Sequence, residues 1–408
     1  MAYEIQEAKE LVVKAGLQLI EAGLIARTRG NVSARISDTQ FVITPSGRAY
    51  EDLTPDDIVV VNIEDCSYEG DIKPSGEKGV HAAAYKHHPT VDFVIHTHQS
   101  AATIVSIARM EIRNVYAEYK DILGDVIPCA DYAMSTTKPL TKNVERSIQM
   151  NPNARAFMMA HHGALVMGDD YDHAFALANA LEGCCEKGIK DNYLRHSWDK
   201  EYSADNKRNY FLNKKDSGTM PQNICDLGSS VRNGNTFTLT VGDTTVDVDM
   251  DTCLGINGIA PKCAKIHKAI YETTECTIIK HQATAYVVAV SCTGETMLPM
   301  IDDFAQIVGL DVKCCPWIDG DTDECAAEIG AAIKSRNAVL IEGNGAMLCG
   351  NNDGDMQALE IIMDKGCAAE IDVNIFNRRH IVPKMECFLM RTVYLMKYSV
   401  RNTIISNI

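Results

Sequence analysis

The chain has 408 residues, 46% of them hydrophobic and 23% charged, with a formal net charge of -16. That length suits two domains of about 200 residues, each with its own core, and the acidic balance excludes a general electrostatic pull toward nucleic acid, so any anion site must be local. With no signal-peptide pattern at the start and no apolar run near the ~18 residues of a membrane span, a cytoplasmic protein without nucleic-acid or membrane partners is expected.

Residues 3–26 place Ile5, Val12, Leu19 and Leu24 at the spacing of an amphipathic helix. Gly30-Asn31 and Pro45-Ser46-Gly47 then punctuate two short strands with a turn near Asp38. "DDIVVVNIED" reads as another strand, "VHAAAYKHH" as a helix closed by Pro89, and "VDFVIHTHQ" as a buried strand. "SAATIVSIARM" resumes helical spacing, "RAFMMAHHGALVMG" reads as a buried strand running into a glycine turn, and "DDYDHAFALANALEGCCEKGIK" as a long helix. The 15 cysteines are odd in number and scattered, without C-x-x-C, which suits reduced and mostly buried thiols.

The pattern then recurs. "PKCAKIHKAIYETTECTIIKHQATAYVVAVS" parallels "PSGEKGVHAAAYKHHPTVDFVIHTHQSAATIVS", matching His81 and Tyr85 with His267 and Tyr271, and a three-residue gap aligns His98-Gln99 with His281-Gln282. "NAVLIEGNGAMLCGNNDGD" likewise parallels "RAFMMAHHGALVMGDDYDH". Two copies of one domain are expected: residues 1–205, a polar linker 206–235, and residues 236–408, the second copy showing no clear counterpart of the "GNVS" strand. In that alignment Ile279 stands for His96, Asn344 for His162, and Cys263 falls at or near Glu77, so the second copy lacks a metal set. A nucleophilic Cys263 has no evident partner base, and a buried free cysteine is the plainer reading.

In a strand, residues two apart share a face, so His96 and His98 point the same way. Imidazoles so placed can converge on one metal with bonds of about 2.1 Å. On the adjacent pair His161-His162, opposite faces admit one member to such a cluster, and spacing leaves open which. Three histidines leave a coordination position open, the mark of a catalytic metal; zinc suits imidazole first, with other divalent metals as substitutes. Glu77, after "KPSG", is the nearby carboxylate, and "RGNVS", "TPSG" and Ser75 offer amides and hydroxyls for a small anion nest.

"GNVSAR", "ITPSG", "PSGE", "HTH" and "HHGALVMG", in this order over residues 5–195, resemble the class II aldolase/adducin family, in particular its fuculose-phosphate aldolase type. The resemblance implies a three-layer α/β/α fold with a mostly antiparallel central sheet. It implies a Zn2+ ion on His96, His98 and His162, with Glu77 as acid/base. Gly30, Asn31, Ser46, Gly47 and Ser75 would hold a substrate phosphate. The implied reaction is reversible cleavage of a phosphorylated ketose to dihydroxyacetone phosphate and an aldehyde. Epimerase, decarboxylase or dehydratase chemistry on a similar sugar phosphate, and a non-enzymatic adducin-like scaffold, are the alternatives. Gly76 replaces a serine common in the family, and neither Tyr116 nor Tyr119 matches its catalytic tyrosine securely. Relatives form fourfold rings, so a homo-oligomer is expected, two tandem chains building a pseudo-fourfold ring.

Overall fold

A computed structural model describes residues 2–25, 29–317 and 322–396. The chain forms two compact units, Met1–Asn192 and Tyr193–Ile408. Each holds a seven-stranded sheet, and the two sheets have the same strand order. In the first unit that order is Val59–Asn62, Gln40–Ile43, Asn31–Arg35, Phe93–Thr97, Gly163–Gly168, Ala156–Met159, Cys129–Ala130. All neighbours pair antiparallel except Cys129–Ala130 with Ala156–Met159, which is parallel. The mostly antiparallel α/β architecture expected from the sequence is therefore the one observed.

Helices Lys78–His87 and Lys138–Met150 pack on one another. With the sheet they enclose a core that includes Phe41, Val61, Tyr85, Val94, Val144, Phe157 and Leu165. Burying each such side chain contributes roughly 1.5–3 kcal/mol. The second unit repeats the arrangement with helices Ala264–Thr273 and Asp323–Ile333 around Phe237, Leu239, Ile266, Ile279, Ile329 and Met347. Every one of the 15 cysteines is a free thiol. Among the described residues no helix is long and apolar enough to cross a membrane.

Three local readings change. "RAFMMAHHGALVMG" is a hairpin rather than one strand: Ala156–Met159 and Gly163–Gly168 pair through a turn that carries both histidines. The segment 206–235 holds most of helix Ala204–Lys214 and the strand Ser229–Asn233, so it belongs to the second unit. That strand is the counterpart of "GNVS", for it pairs with Thr236–Val241 and Ile278–Gln282 as Asn31–Arg35 pairs with Gln40–Ile43 and Phe93–Thr97.

Candidate metal centre

The hairpin and the central strand deliver three imidazoles to one place. His96 is on the strand Phe93–Thr97, His98 follows it directly, and His162 ends the hairpin turn. Their ligand atoms all lie within 4.8 Å of one another. His96 Nε2 is 2.9 Å from His98 Nε2, and the rings of His96 and His162 stack with centroids 5.0 Å apart. The carbonyl of Ala164 lies 2.8 Å from His96 Nδ1; a carbonyl only accepts, so Nδ1 carries the proton and Nε2 turns its lone pair to the cluster. Close approach of the two strands makes this possible, since a Cβ on Gly163 would lie 2.2 Å from the carbonyl oxygen of Thr97.

Glu77, just ahead of helix Lys78–His87, completes the cluster from the other side. It is 7% exposed, with Oε2 3.2 Å from His96 Nε2 and Oε1 3.0 Å from His162 Nε2. Burial alone would raise its pKa, but positive charge at the His162 and His96 positions, which a cation held there would supply, outweighs it and holds the carboxyl well below the usual carboxylate range. The donor set fits a divalent cation: tetrahedral bonds of about 2.1 Å put ligand nitrogens ~3.4 Å apart, a small adjustment from the spacing present.

His161 goes elsewhere, turned away by the left-handed backbone of the hairpin turn rather than by strand alternation. It has a φ of 63°, is fully buried, and accepts a hydrogen bond from Arg109 Nε at 2.7 Å, with the Tyr132 ring 5.1 Å away. Arg109 and Tyr132 were not legible as site neighbours, because nothing in their spacing links them to "HHG". Of the two candidate tyrosines, Tyr119 turns its hydroxyl to helix Tyr171–Ser197, where a Cβ on Gly183 would lie 2.6 Å from it, and the Lys187 ammonium sits 4.6 Å over the Tyr116 ring.

The residues expected at an anion gather on neighbouring loops. Pro45 bridges to Pro74, Ser46 N donates to Lys73 O at 2.9 Å, and Ser75 N donates to Thr44 O at 3.0 Å. Thr44 N in turn donates to Val32 O at 3.1 Å, which brings Gly30 and Asn31 alongside. Gly30 and Gly47 take left-handed φ values of 82° and 74°, a conformation that favours glycine. The Ser75 hydroxyl accepts from Glu77 N at 3.2 Å. The Asn31 amide is engaged with Glu77 Oε2 at 3.0 Å. A side chain on Gly76 would meet Thr136 Cγ2 at 3.0 Å, so the missing serine coincides with a threonine crowding its place.

The ladder registers correct the alignment of the two units. His96 faces Leu165 and His281 faces Met347, each three residues ahead of the closing glycine, Gly168 or Gly350. His281 is therefore the counterpart of His96, and Ala283 takes the place of His98; Ile279 matches Val94 rather than His96. His281 donates from Nε2 to Asn344 O at 2.6 Å and accepts at Nδ1 from Leu227 N at 3.3 Å, leaving no lone pair for a metal. The Asn344 amide bonds the Cys225 backbone twice, at 2.7 and 3.1 Å, so the chain lies across the place the ligands would need. Cys263 does precede its helix as Glu77 does, but burial pushes its thiol up to about 12, which keeps it protonated rather than nucleophilic.

The model of the Class II Aldolase and Adducin N-terminal domain matches residues 10–188 and 232–370. The L-fuculose phosphate aldolase of Escherichia coli is 33% identical over 171 residues, 42% of this chain and 77% of the relative. A 5-methylthioribulose-1-phosphate/5-deoxyribulose-1-phosphate aldolase from another Escherichia coli strain is 34% identical over 187 residues, 46% of this chain and 85% of the relative. The L-ribulose-5-phosphate 4-epimerase of Salmonella paratyphi C is 31% identical over 190 residues, 44% of this chain and 82% of the relative. Matched in both units and built around the same sheet twice, the chain belongs to the class II aldolase and adducin N-terminal domain family, as a tandem.

Proposed function

We propose that this protein is a zinc-dependent lyase that reversibly cleaves a phosphorylated ketose to dihydroxyacetone phosphate and an aldehyde. The observation that carries the reading is a buried carboxylate touching two of three convergent imidazoles, beside paired loops suited to an anion. His96, His98 and His162 would hold the metal. Bound there, zinc supplies Lewis-acid chemistry, polarising the ketose carbonyl and stabilising enediolate charge. Backbone amides at Gly30, Asn31 and Gly47, with the Ser46 and Ser75 hydroxyls, would bind and orient the phosphate.

Held ionised, Glu77 begins as a base. In the condensation direction it takes the proton from the hydroxyl-bearing carbon of dihydroxyacetone phosphate, and the electron pair left behind attacks the aldehyde carbon, whose oxygen takes up the carbonyl pair and then that proton from Glu77. In cleavage Glu77 takes the proton of the hydroxyl next to the scissile bond, that oxygen forms the aldehyde carbonyl as the carbon–carbon bond breaks, the bond's electrons remain on the three-carbon fragment, and Glu77 delivers the same proton to that carbon. The second unit, its ligand set gone, has a structural or regulatory role. Free thiols throughout support a reducing, cytoplasmic setting, and assembly into a homo-oligomer follows the family resemblance.

The test is product analysis of zinc-loaded protein with a panel of phosphorylated ketoses. Release of dihydroxyacetone phosphate, abolished by chelation, is expected. An epimerised sugar phosphate without that release would instead support the second reading, which the epimerase relative favours.

A further inference from the structure

Behind Glu77 the buried side chains form a hydrogen-bonded wire. Tyr85 Oη is 2.7 Å from Ser33 Oγ, Ser33 Oγ is 2.6 Å from His81 Nδ1, and His81 Nε2 is 2.5 Å from Asn31 Oδ1. Asn31 Nδ2 then reaches Glu77 Oε2 at 3.0 Å. The wire has one self-consistent direction. Asn31 turns its nitrogen to Glu77 and its oxygen to His81, and an amide oxygen only accepts. His81 must therefore donate from Nε2. Its ring is fully buried, and burial pushes it down to about 3, so it is neutral and its bare Nδ1 accepts from Ser33. Ser33 in turn accepts from Tyr85.

The second unit supplies an internal control. Ser230 Oγ lies 2.7 Å from His267 Nδ1 and 2.8 Å from Tyr271 Oη, the same three residue types in the same places. There His267 Nε2 meets the backbone carbonyl of Leu227 at 2.7 Å, and Cys263 stands where Glu77 does. The Ser-His-Tyr part is thus a strut that persists without a catalytic carboxylate. What the first unit adds is the Asn31 arm.

We infer that His81, acting through Asn31, is a positioning residue for Glu77: it fixes which end of the Asn31 amide meets Oε2 and so holds the carboxylate between His96 and His162. The Asn31 side chain then serves the acid/base residue, and phosphate contact at this position falls to the backbone. This assignment rests on the aldolase reading above and is tested apart from it.

Asn31→Ala, Asn31→Asp and His81→Gln would be compared in zinc-loaded protein with His267→Gln as the strut-only control. Three readouts apply: kcat for cleavage, exchange of solvent deuterium into dihydroxyacetone phosphate, and the inhibition constant of inorganic phosphate. For Asn31→Ala and His81→Gln, kcat and exchange are expected to fall about 10- to 100-fold. The phosphate constant should stay within about twofold, zinc content should hold, and His267→Gln should leave all three readouts unchanged. Asn31→Asp keeps the size and the oxygen for His81 but loses the donor, so it should not rescue. A weakened phosphate constant with kcat preserved, or rescue by Asp, would overturn the inference. Should wild-type protein cleave no ketose phosphate, the function fails and the positioning still has its own readout. In a crystal structure of zinc-loaded Asn31→Ala, a turned Glu77 carboxylate supports it and an unmoved one refutes it.

Discussion

Removing different members of the Glu77 cluster should produce different failures. His98→Ala deletes one of the three proposed ligands, so zinc measured by plasma mass spectrometry should drop from one per chain toward zero, and turnover with it. Glu77→Gln keeps the size and removes the charge; zinc should remain while kcat falls about 10²- to 10⁴-fold, the usual range for a lost acid/base group. Turnover surviving in a zinc-free His98→Ala protein would end the metal-dependent reading. At this scale much was legible: "HTH" puts two imidazoles on one face by alternation alone. The choice of His162 over His161 was not, because it depends on the turn, where His161 takes a left-handed φ of 63° and swings to Arg109.

At the scale of elements, the Ser-His-Tyr strut joins a strand to a helix in each unit and makes each unit acid-sensitive. Burial depresses His267 to about 4 from an ordinary 6.5. The folded state therefore leaves it neutral over a window in which the unfolded chain binds a proton, and stability is lost as pH falls from about 6.5 toward 4. A full shift of that size amounts to about 3 kcal/mol. His267→Gln should flatten this part of the stability–pH curve, measured by urea unfolding at stepped pH; an unchanged slope would show that His267 does not carry it. The spacing of His267 and Tyr271 was visible in the sequence, as was its echo in His81 and Tyr85. Their common partner was not, since Ser230 lies in a strand so polar that it reads as linker. The register of His281 was hidden for another reason. A slip of two residues keeps every side chain on its original face, so alternation cannot detect it, whereas the hydrogen-bond ladder does.

For the whole molecule, the decisive asymmetry is that two compact units of similar architecture differ in the side chains they bring together. Anything that binds a folded state and not the unfolded chain raises stability by an amount set by its concentration relative to Kd, about 4 kcal/mol at a thousandfold excess. For a unit of this size that corresponds to a rise in Tm on the order of 10 °C. Among the described residues the three-histidine cluster of the first unit is the one group of side chains that converges well enough to hold a metal, while in the second unit His281 spends both ring nitrogens on the backbone. Scanning calorimetry of chelated protein against zinc-loaded protein should therefore show one transition moving and the other staying. If the units melt together, His98→Ala should abolish the zinc response of the single transition, and His281→Ala should preserve it. Equal movement of two resolved transitions, or a zinc response lost in His281→Ala, would mean that the second unit holds metal after all.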